Sequence, residues 1–138
     1  MTDVVRQARI RELENAIAAR RGEIRKINEN IDILELEKLR ISNTRNFFTS
    51  SIPHNSYIIN LNNVSVNEFQ GVTRTKIEGI LDEMSDEIAS RINDHEENEG
   101  KIGQKVSELQ GRVSTLRGEN DDDITEKAWL EQQNLLQN

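Results

Sequence analysis

The side chains of this sequence that could do chemistry are few and lie far apart. The two histidines are His54 and His95, and neither has a second metal ligand at the spacing that a zinc site needs. Residues 121–123 are three aspartates, but the glycine and glutamate of a calcium-binding loop do not follow them. Phosphate-binding glycine loops and nucleophile motifs are absent. These residue types predict no catalytic, cofactor or metal site, and they favour a protein that is not an enzyme.

The same residues have simpler structural interpretations. His95 falls on a step of the hydrophobic repeat described below, where a polar residue can fix the register of a coiled coil. A pH-dependent switch is the alternative, because histidine changes charge near neutral pH. The aspartates at 121–123 are typical of the first turn of a helix, where negative charge offsets the helix dipole.

Two long stretches carry apolar residues at alternating steps of three and four. A repeat of about 3.5 residues places these side chains on one narrow seam of an α-helix, and a narrow seam needs a partner helix. The sequence therefore predicts an all-α fold: an antiparallel two-helix hairpin of coiled-coil type, with a long central loop and a short C-terminal helix. The seam residues of the first stretch are Ile10, Leu13, Ile17, Ile24, Ile27, Ile31, Leu34 and Ile41, and those of the second are Ile77, Leu81, Met84, Ile88, Ile92, His95, Ile102, Val106, Leu109, Val113 and Leu116.

Composition and charge agree with this fold and exclude some functions. Of 138 residues, 34% are hydrophobic and 31% are charged, which suits long helices with one apolar stripe. Residues 1–46 carry ten Lys and Arg against eight Asp and Glu, whereas residues 47–138 carry eight against seventeen. Opposite balances favour pairing of the two stretches, and the net charge of −7 argues against nucleic acid as a partner. The absence of cysteine excludes disulfides and thiolate metal sites.

Proline, glycine and helix-capping residues predict where the helices begin and end. We expect a hairpin domain over 1–118, with a helix over 3–46, a loop over 47–64 and a second helix over 65–117. Residues 119–138 are expected to form an acidic linker and the short C-terminal helix, because Gly118 is a typical helix end. The loop contains the single proline, Pro53, and is longer and more apolar than most helix connections. It should either cover the tip of the hairpin or bind another molecule.

The start of the second helix has its own signature. Ser65 and Glu68 have the spacing of a capping box, and Val64 and Phe69 have that of a hydrophobic staple. Gly71 follows within the first turns, where a glycine costs about 1 kcal/mol against alanine. Its presence suggests that another backbone approaches closely, although an incidental glycine is the alternative.

Some apolar residues lie off the seam and predict a contact with another chain. A pair of helices buries one stripe on each, so further apolar residues remain in water unless a partner covers them. The residues expected to bind this partner are Ile33, Leu36, Leu39, Ile58 and Ile59, together with Phe69 and Gly71.

The chain also resembles a known family. Residues 66–71, Val-Asn-Glu-Phe-Gln-Gly, and the later segment 101–110, Lys-Ile-Gly-Gln-Lys-Val-Ser-Glu-Leu-Gln, look like parts of the small YwqH-like helical proteins. Those proteins are encoded beside LXG polymorphic toxins of Gram-positive type VII secretion and are related to the WxG helical hairpins. The similarity covers about residues 5–117, with Phe69 and Gly71 at the aromatic and glycine positions of the hairpin motif.

The resemblance implies a function. It implies a non-enzymatic helical hairpin that binds the helical N-terminal region of an LXG toxin and assists its export as a partner, targeting factor or secretion chaperone. A second small helical protein or a homodimer is compatible with it. The Tyr/Phe-x-x-x-Asp/Glu export signal of the wider superfamily is not present, because Thr73 stands four residues after Phe69.

The sequence leaves location and one other function open. It contains no apolar run of membrane-spanning length and no cleavable signal peptide at its N-terminus, which predicts a cytoplasmic protein, with co-export to the cell surface or medium as the alternative. The alternative function is a structural coiled-coil protein that self-assembles, such as a phage or cell-scaffold component.

Overall fold

The structure is a computed structural model and describes residues 2–51 and 72–137. These residues form two α-helices, which we name α1 (Asp3–Ser51) and α2 (Val72–Gln137). The all-α prediction is confirmed, and the two helices pack against each other as expected. The expected loop segment 52–64, the capping box at Ser65 and the residues Ile58, Ile59, Phe69 and Gly71 lie outside the described residues.

Helix α1 starts where the sequence predicts and ends later. Asp3 occupies its first turn, where a carboxylate offsets the helix dipole. The helix then continues through Phe47 and Phe48 to Ser51, so these aromatic residues are helical and do not belong to the loop. Thr44 and Thr49 each donate a hydroxyl hydrogen bond to the carbonyl four residues earlier, which satisfies their side chains inside a helix.

Helix α2 differs from the prediction in the C-terminal part of the chain. It passes through Gly118 and the aspartates at 121–123 without interruption and ends at Gln137, so the expected linker and separate short helix are wrong. The seam does not stop at Leu116 but continues at steps of four and three through Asn120, Asp123, Lys127 and Leu130. Packing along this continued seam outweighs the helix-breaking tendency of a single glycine.

The chain divides into two compact units, each with segments of both helices. The first unit comprises Met1–Glu35 and Gln104–Asn138, and the second comprises Leu36–Gly103. In the first unit, Arg9 meets Glu126 and Glu23 meets Arg112, so the segments run antiparallel. In the second unit, Lys38 approaches Gly103 and Phe48 approaches His95, which again gives antiparallel segments.

The first unit contains all the buried apolar side chains of the described residues. Leu116 is only 1% exposed, and Leu13 and Leu130 are each 2% exposed. Burial of a leucine side chain is worth about 1.5–3 kcal/mol, so this seam supplies most of the stability of the described helices. Its members are Ile10, Leu13, Ile17, Ile27, Ile31, Val106, Val113, Leu116 and Leu130.

Neither described helix contains a stretch that is long and apolar enough to cross a membrane.

Candidate partner-binding surfaces

Charged and amide groups at the edges of the first unit's seam join the two helices. The guanidinium of Arg6 is buried and donates to Asn134 Oδ1 at 2.6 Å and to Gln137 Oε1 at 2.9 Å. Arg20 donates to the carboxylate of Asp123 and forms an ion pair with Glu119 at 3.1 Å. These groups satisfy each other across the pair, so they position the two helices.

The ion pairs between the helices shift several pKa values. The hydrogen bond to Asp123 raises the pKa of Arg20, and burial opposes this only in part. A hydrogen bond to Glu14, helped by the charge of Glu131, raises the pKa of Lys127. Each shift stabilises the charged form that pairing requires, which is the pattern of structural ion pairs.

The structure describes His95 and the aspartates at 121–123 but not His54. His95 is half-buried on the seam of the second unit, and its ring stacks on that of Phe48 with centroids 6.4 Å apart. The aspartates at 121–123 lie in the interior of α2 and do not begin a helix, and Asp123 accepts a hydrogen bond from Arg20 of α1. Among the described residues, no three His, Asp or Glu side chains are placed to hold a metal ion. His54 lies outside the part of the chain that the structure describes.

The predicted partner-binding residues on α1 are exposed. Leu36 and Leu39 lie in the second unit with 61% and 56% of their surface in water. Ile33, in the first unit, is also exposed. Leu36 and Leu39 are three residues apart, and that spacing makes them neighbours on a helix surface. Whether these three residues bind a partner stays a prediction, as it does for the four predicted partner-binding residues outside the described part of the chain.

The second unit differs from the first in how little it buries. None of its described side chains, in 36–49 and 75–103, is fully buried, and its seam residues are only partly buried. Its exposed apolar side chains are large, and they lie on both helical segments. They are Leu36, Leu39 and Phe47 on α1, and Ile80 and Met84 on α2.

Met84 is the clearest departure from the predicted seam. The sequence analysis placed it among the helix contacts, but half of its surface is exposed and Ser85 occupies the half-buried position instead. The seam then reads Leu81, Ser85, Ile88 and Ile92, which restores the regular alternation of four and three. A small serine at this position leaves Met84 at the edge of the helix pair.

A shallow groove lies beside Met84 in the second unit. It has a volume of about 220 Å³ and is lined by Phe48 from α1 and by Met84, Glu87, Ile88 and Arg91 from α2. Ligand pockets typically have volumes of about 300–1,000 Å³, so this groove suits protruding side chains better than a small molecule. Sequence reasoning missed it, although two successive steps of four at Met84, Ile88 and Ile92 marked the place.

The first unit has a groove of its own along one side of the helix pair. It has a volume of about 370 Å³ and is lined partly by Ile17, Ala18, Ile124 and Ala128. The small alanines leave space between the helices, but charged residues of both signs surround it, including Glu14, Arg21, Lys127 and Glu131. This mixed rim gives no preference for the charge of a partner.

Comparisons of the chain with protein-family models, with curated proteins and with solved structures give no match. The resemblance to the YwqH-like helical proteins therefore stays a prediction from the sequence.

Proposed function

We propose that this chain is a non-enzymatic helical binding protein whose second unit, Leu36–Gly103, binds another helical protein. The observation that carries the proposal is the contrast between the two units. The first unit buries the side chains of its seam, whereas the second has no fully buried side chain among its described residues. Both units expose large apolar side chains, but only in the second do they lie beside a seam that its own helices leave partly open, which is where a partner helix can pack.

The shape and chemistry of the second unit favour a helix as the partner's contacting element. Leu36 and Leu39 form a short apolar row along the outside of α1, and a helix in a partner can pack along such a row. The exposed apolar side chains of this unit offer surface for contact and carry no catalytic groups. A partner that buries them adds helix-to-helix contacts to a pair whose own seam residues are only partly buried.

The resemblance to the YwqH-like proteins supplies a candidate for this partner. We propose the helical N-terminal region of an LXG-type toxin, with the chain acting as its targeting factor or secretion chaperone in a Gram-positive type VII pathway. The hydrophobic rows of both proteins would then form one bundle before export. Phe69, Gly71, Ile58 and Ile59 are part of this proposal on the strength of the sequence alone.

Co-purification from the native host tests the proposal. Leu36→Asp with Leu39→Asp should abolish recovery of the partner, because two carboxylates would be desolvated in an apolar contact. Circular dichroism should show nearly unchanged helicity, since both leucines are exposed in the chain alone. The matched control is Asn30→Asp with Asn43→Asp, which adds the same charge at exposed positions of α1 and should leave recovery intact.

Two results would contradict the proposal. Loss of helicity together with loss of recovery would mean that Leu36 and Leu39 serve the chain's own fold. Retention of the partner by the double leucine variant would place the contact elsewhere. Sedimentation of the isolated chain separates the alternative function, because a binding protein should be a monomer or small oligomer and a self-assembling scaffold should form large polymers.

A further inference from the structure

The part of α2 within the second unit is strongly acidic. Residues 72–103 carry nine Asp and Glu against four Lys and Arg, and all nine carboxylates lie within 77–99, where Arg91 is the single basic residue and all but one of the carboxylates are exposed. Arg91 pairs with Glu87 at 2.9 Å, and Arg45 from α1 pairs with Glu96 and Glu99. Among the described residues, no ion pair involves Asp82, Glu83, Asp86 or Asp94. This surface therefore has carboxylates that the described residues of the unit do not pair with a cation.

A row of four residues runs through this acidic surface beside the groove, and two of its members are apolar. Ile80 and Met84 are four residues apart, and Glu87 and Arg91, which pair with each other, continue the row at steps of three and four. Ile80 is 56% exposed and Met84 is 50% exposed, and the ring of Phe48 forms the opposite wall of the groove. Methionine adapts its shape to a partner's side chains, which suits it to a binding surface.

We infer that this row and groove are the docking site for a basic amphipathic helix of a partner protein. The partner's apolar residues would contact Ile80, Met84 and Phe48. Lysine or arginine residues flanking that stripe would lie beside Glu83 and Asp86. The inference rests on the proposed function, because it names the surface and the charge of the helical partner, and it adds a contact on α2 to the one on α1.

The charge on the surface decides between kinds of partner. An acidic or neutral helix would leave the four carboxylates unbalanced, and like charges across an interface cost several kcal/mol in specificity. A basic helix neutralises them and gains in association rate at low salt. The partner helix that fits this surface best therefore has a basic stripe beside its apolar stripe.

A second copy of this chain does not offer such a helix. Its most basic stretch is residues 20–26, where Arg20, Arg21, Arg25 and Lys26 surround Ile24. Arg20 is already engaged by Asp123 and Glu119, and Ile24 lies half-buried on the seam of the first unit. The basic stretch of a second copy therefore presents charges without a free apolar stripe.

The experiment uses the full chain and two synthetic helical peptides. One repeats leucine and lysine at steps of three and four, and the other has glutamate in place of every lysine. Fluorescence anisotropy should show binding of the lysine peptide, weaker binding at high salt, and at least tenfold weaker binding of the glutamate peptide. Equal binding of both peptides would overturn the charge argument, and no binding of the lysine peptide would overturn the site.

Charge-reversal variants locate the site. Glu83→Lys with Asp86→Lys should weaken binding of the lysine peptide at least tenfold. Asp121→Lys with Asp122→Lys makes the same change at exposed positions of α2 in the first unit and should weaken it less than threefold. Equal effects of the two pairs would mean that net charge alone attracts the peptide, which overturns the assignment.

The apolar half of the site has a matched pair of its own. Met84→Gln should weaken binding at least fivefold, whereas Ile124→Gln, at an exposed apolar position of the first unit, should leave it unchanged. A dimer that Met84→Gln dissociates in sedimentation would instead assign the row to a second copy. The peptide measurements need only the purified chain, whereas the Leu36 and Leu39 test needs the native partner. Lysine-peptide binding that survives all the α2 variants therefore overturns this site and leaves the proposed function standing.

Discussion

The guanidinium of Arg9 and the carboxylate of Glu126 form a two-pronged hydrogen bond between α1 and α2. Arg9 Nε donates to Glu126 Oε1 at 2.9 Å, and Nη2 donates to Oε2 at 3.0 Å. Two parallel bonds fix orientation as well as distance, because a guanidinium and a carboxylate match in shape. The hydrogen bond from Arg9 holds the pKa of Glu126 below its usual range, against the opposing effect of burial.

This pair predicts a pH dependence of stability. A carboxylate whose pKa is lower in the folded than in the unfolded chain contributes stability above its unfolded pKa of about 4.3, and that contribution disappears as pH falls through the folded pKa. Glu126→Gln should therefore flatten the loss of unfolding free energy below about pH 5. Urea unfolding at a series of pH values measures it. In an Arg9→Gln background the same substitution should change the pH dependence little, and an undiminished effect there would mean that Arg9 is not the cause.

The seam of the first unit predicts the largest stability losses. Leu13→Ala and Leu130→Ala should each lower the unfolding free energy by about 2–5 kcal/mol, because each leaves a cavity at a position with 2% exposure. Leu36→Ala is the control and should cost less than about 0.5 kcal/mol, because Leu36 is exposed in the chain alone. Urea unfolding followed by circular dichroism measures all three. A cost at Leu36 equal to that at Leu13 would contradict both the core assignment and the proposed surface.

The predictable part of the fold is the part where apolar residues mark the seam. Ile10, Leu13 and Ile17 are buried as their spacing predicts. The apolar pattern does not reveal the seam after Leu116, because its next positions are the polar residues Asn120, Asp123 and Lys127, before Leu130 continues it. These polar side chains find their hydrogen-bond and ion-pair partners on the opposite helix. The sequence of one helix alone does not reveal such partners.

The candidate surfaces were predictable to a different extent. Leu36 and Leu39 could be found from α1 alone, since their spacing places them away from the seam. The groove beside Met84 could not, because Met84 and Ser85 compete for one seam position and packing against α1 decides between them. A sequence pattern ranks hydrophobic residues above serine, whereas the helix pair in this unit accepts the smaller side chain.

Gly118 tests the continuity of α2 directly. The glycine is exposed within the helix, and apart from its chain neighbours and the adjacent helix backbone no atom lies within 4 Å of the Cβ that an alanine would add. Gly118→Ala should therefore raise the unfolding free energy by about 0.5–1 kcal/mol through helix propensity. Thermal unfolding monitored by circular dichroism is the measurement. Gly103→Ala is the comparison, and a similar gain is expected there, because the nearest atom to the added Cβ is the end of the flexible Lys38 side chain at an ordinary contact distance of 3.4 Å. Destabilisation by Gly118→Ala would indicate that the helix ends at this residue after all.

Asn120 predicts a trade between stability and specificity. It is buried on the seam, its Nδ2 donates to the carbonyl of Ile17 at 3.4 Å, and its Oδ1 accepts from Arg20 at 3.4 Å. Both bonds are long, so they offset little of the cost of burying an amide. Asn120→Leu should raise the unfolding free energy, because apolar surface replaces a weakly bonded polar group.

The same substitution should loosen the choice of partner and register. A single buried asparagine restricts a coiled coil to pairings that satisfy its amide, and leucine accepts many pairings. Sedimentation should therefore show additional oligomers for Asn120→Leu at concentrations where the natural chain shows one species. Gln110→Leu, which adds a leucine at an exposed position of the first unit, should keep one species. A single unchanged species for Asn120→Leu, with stability lowered instead of raised, would show that the amide contributes through its hydrogen bonds and not through specificity.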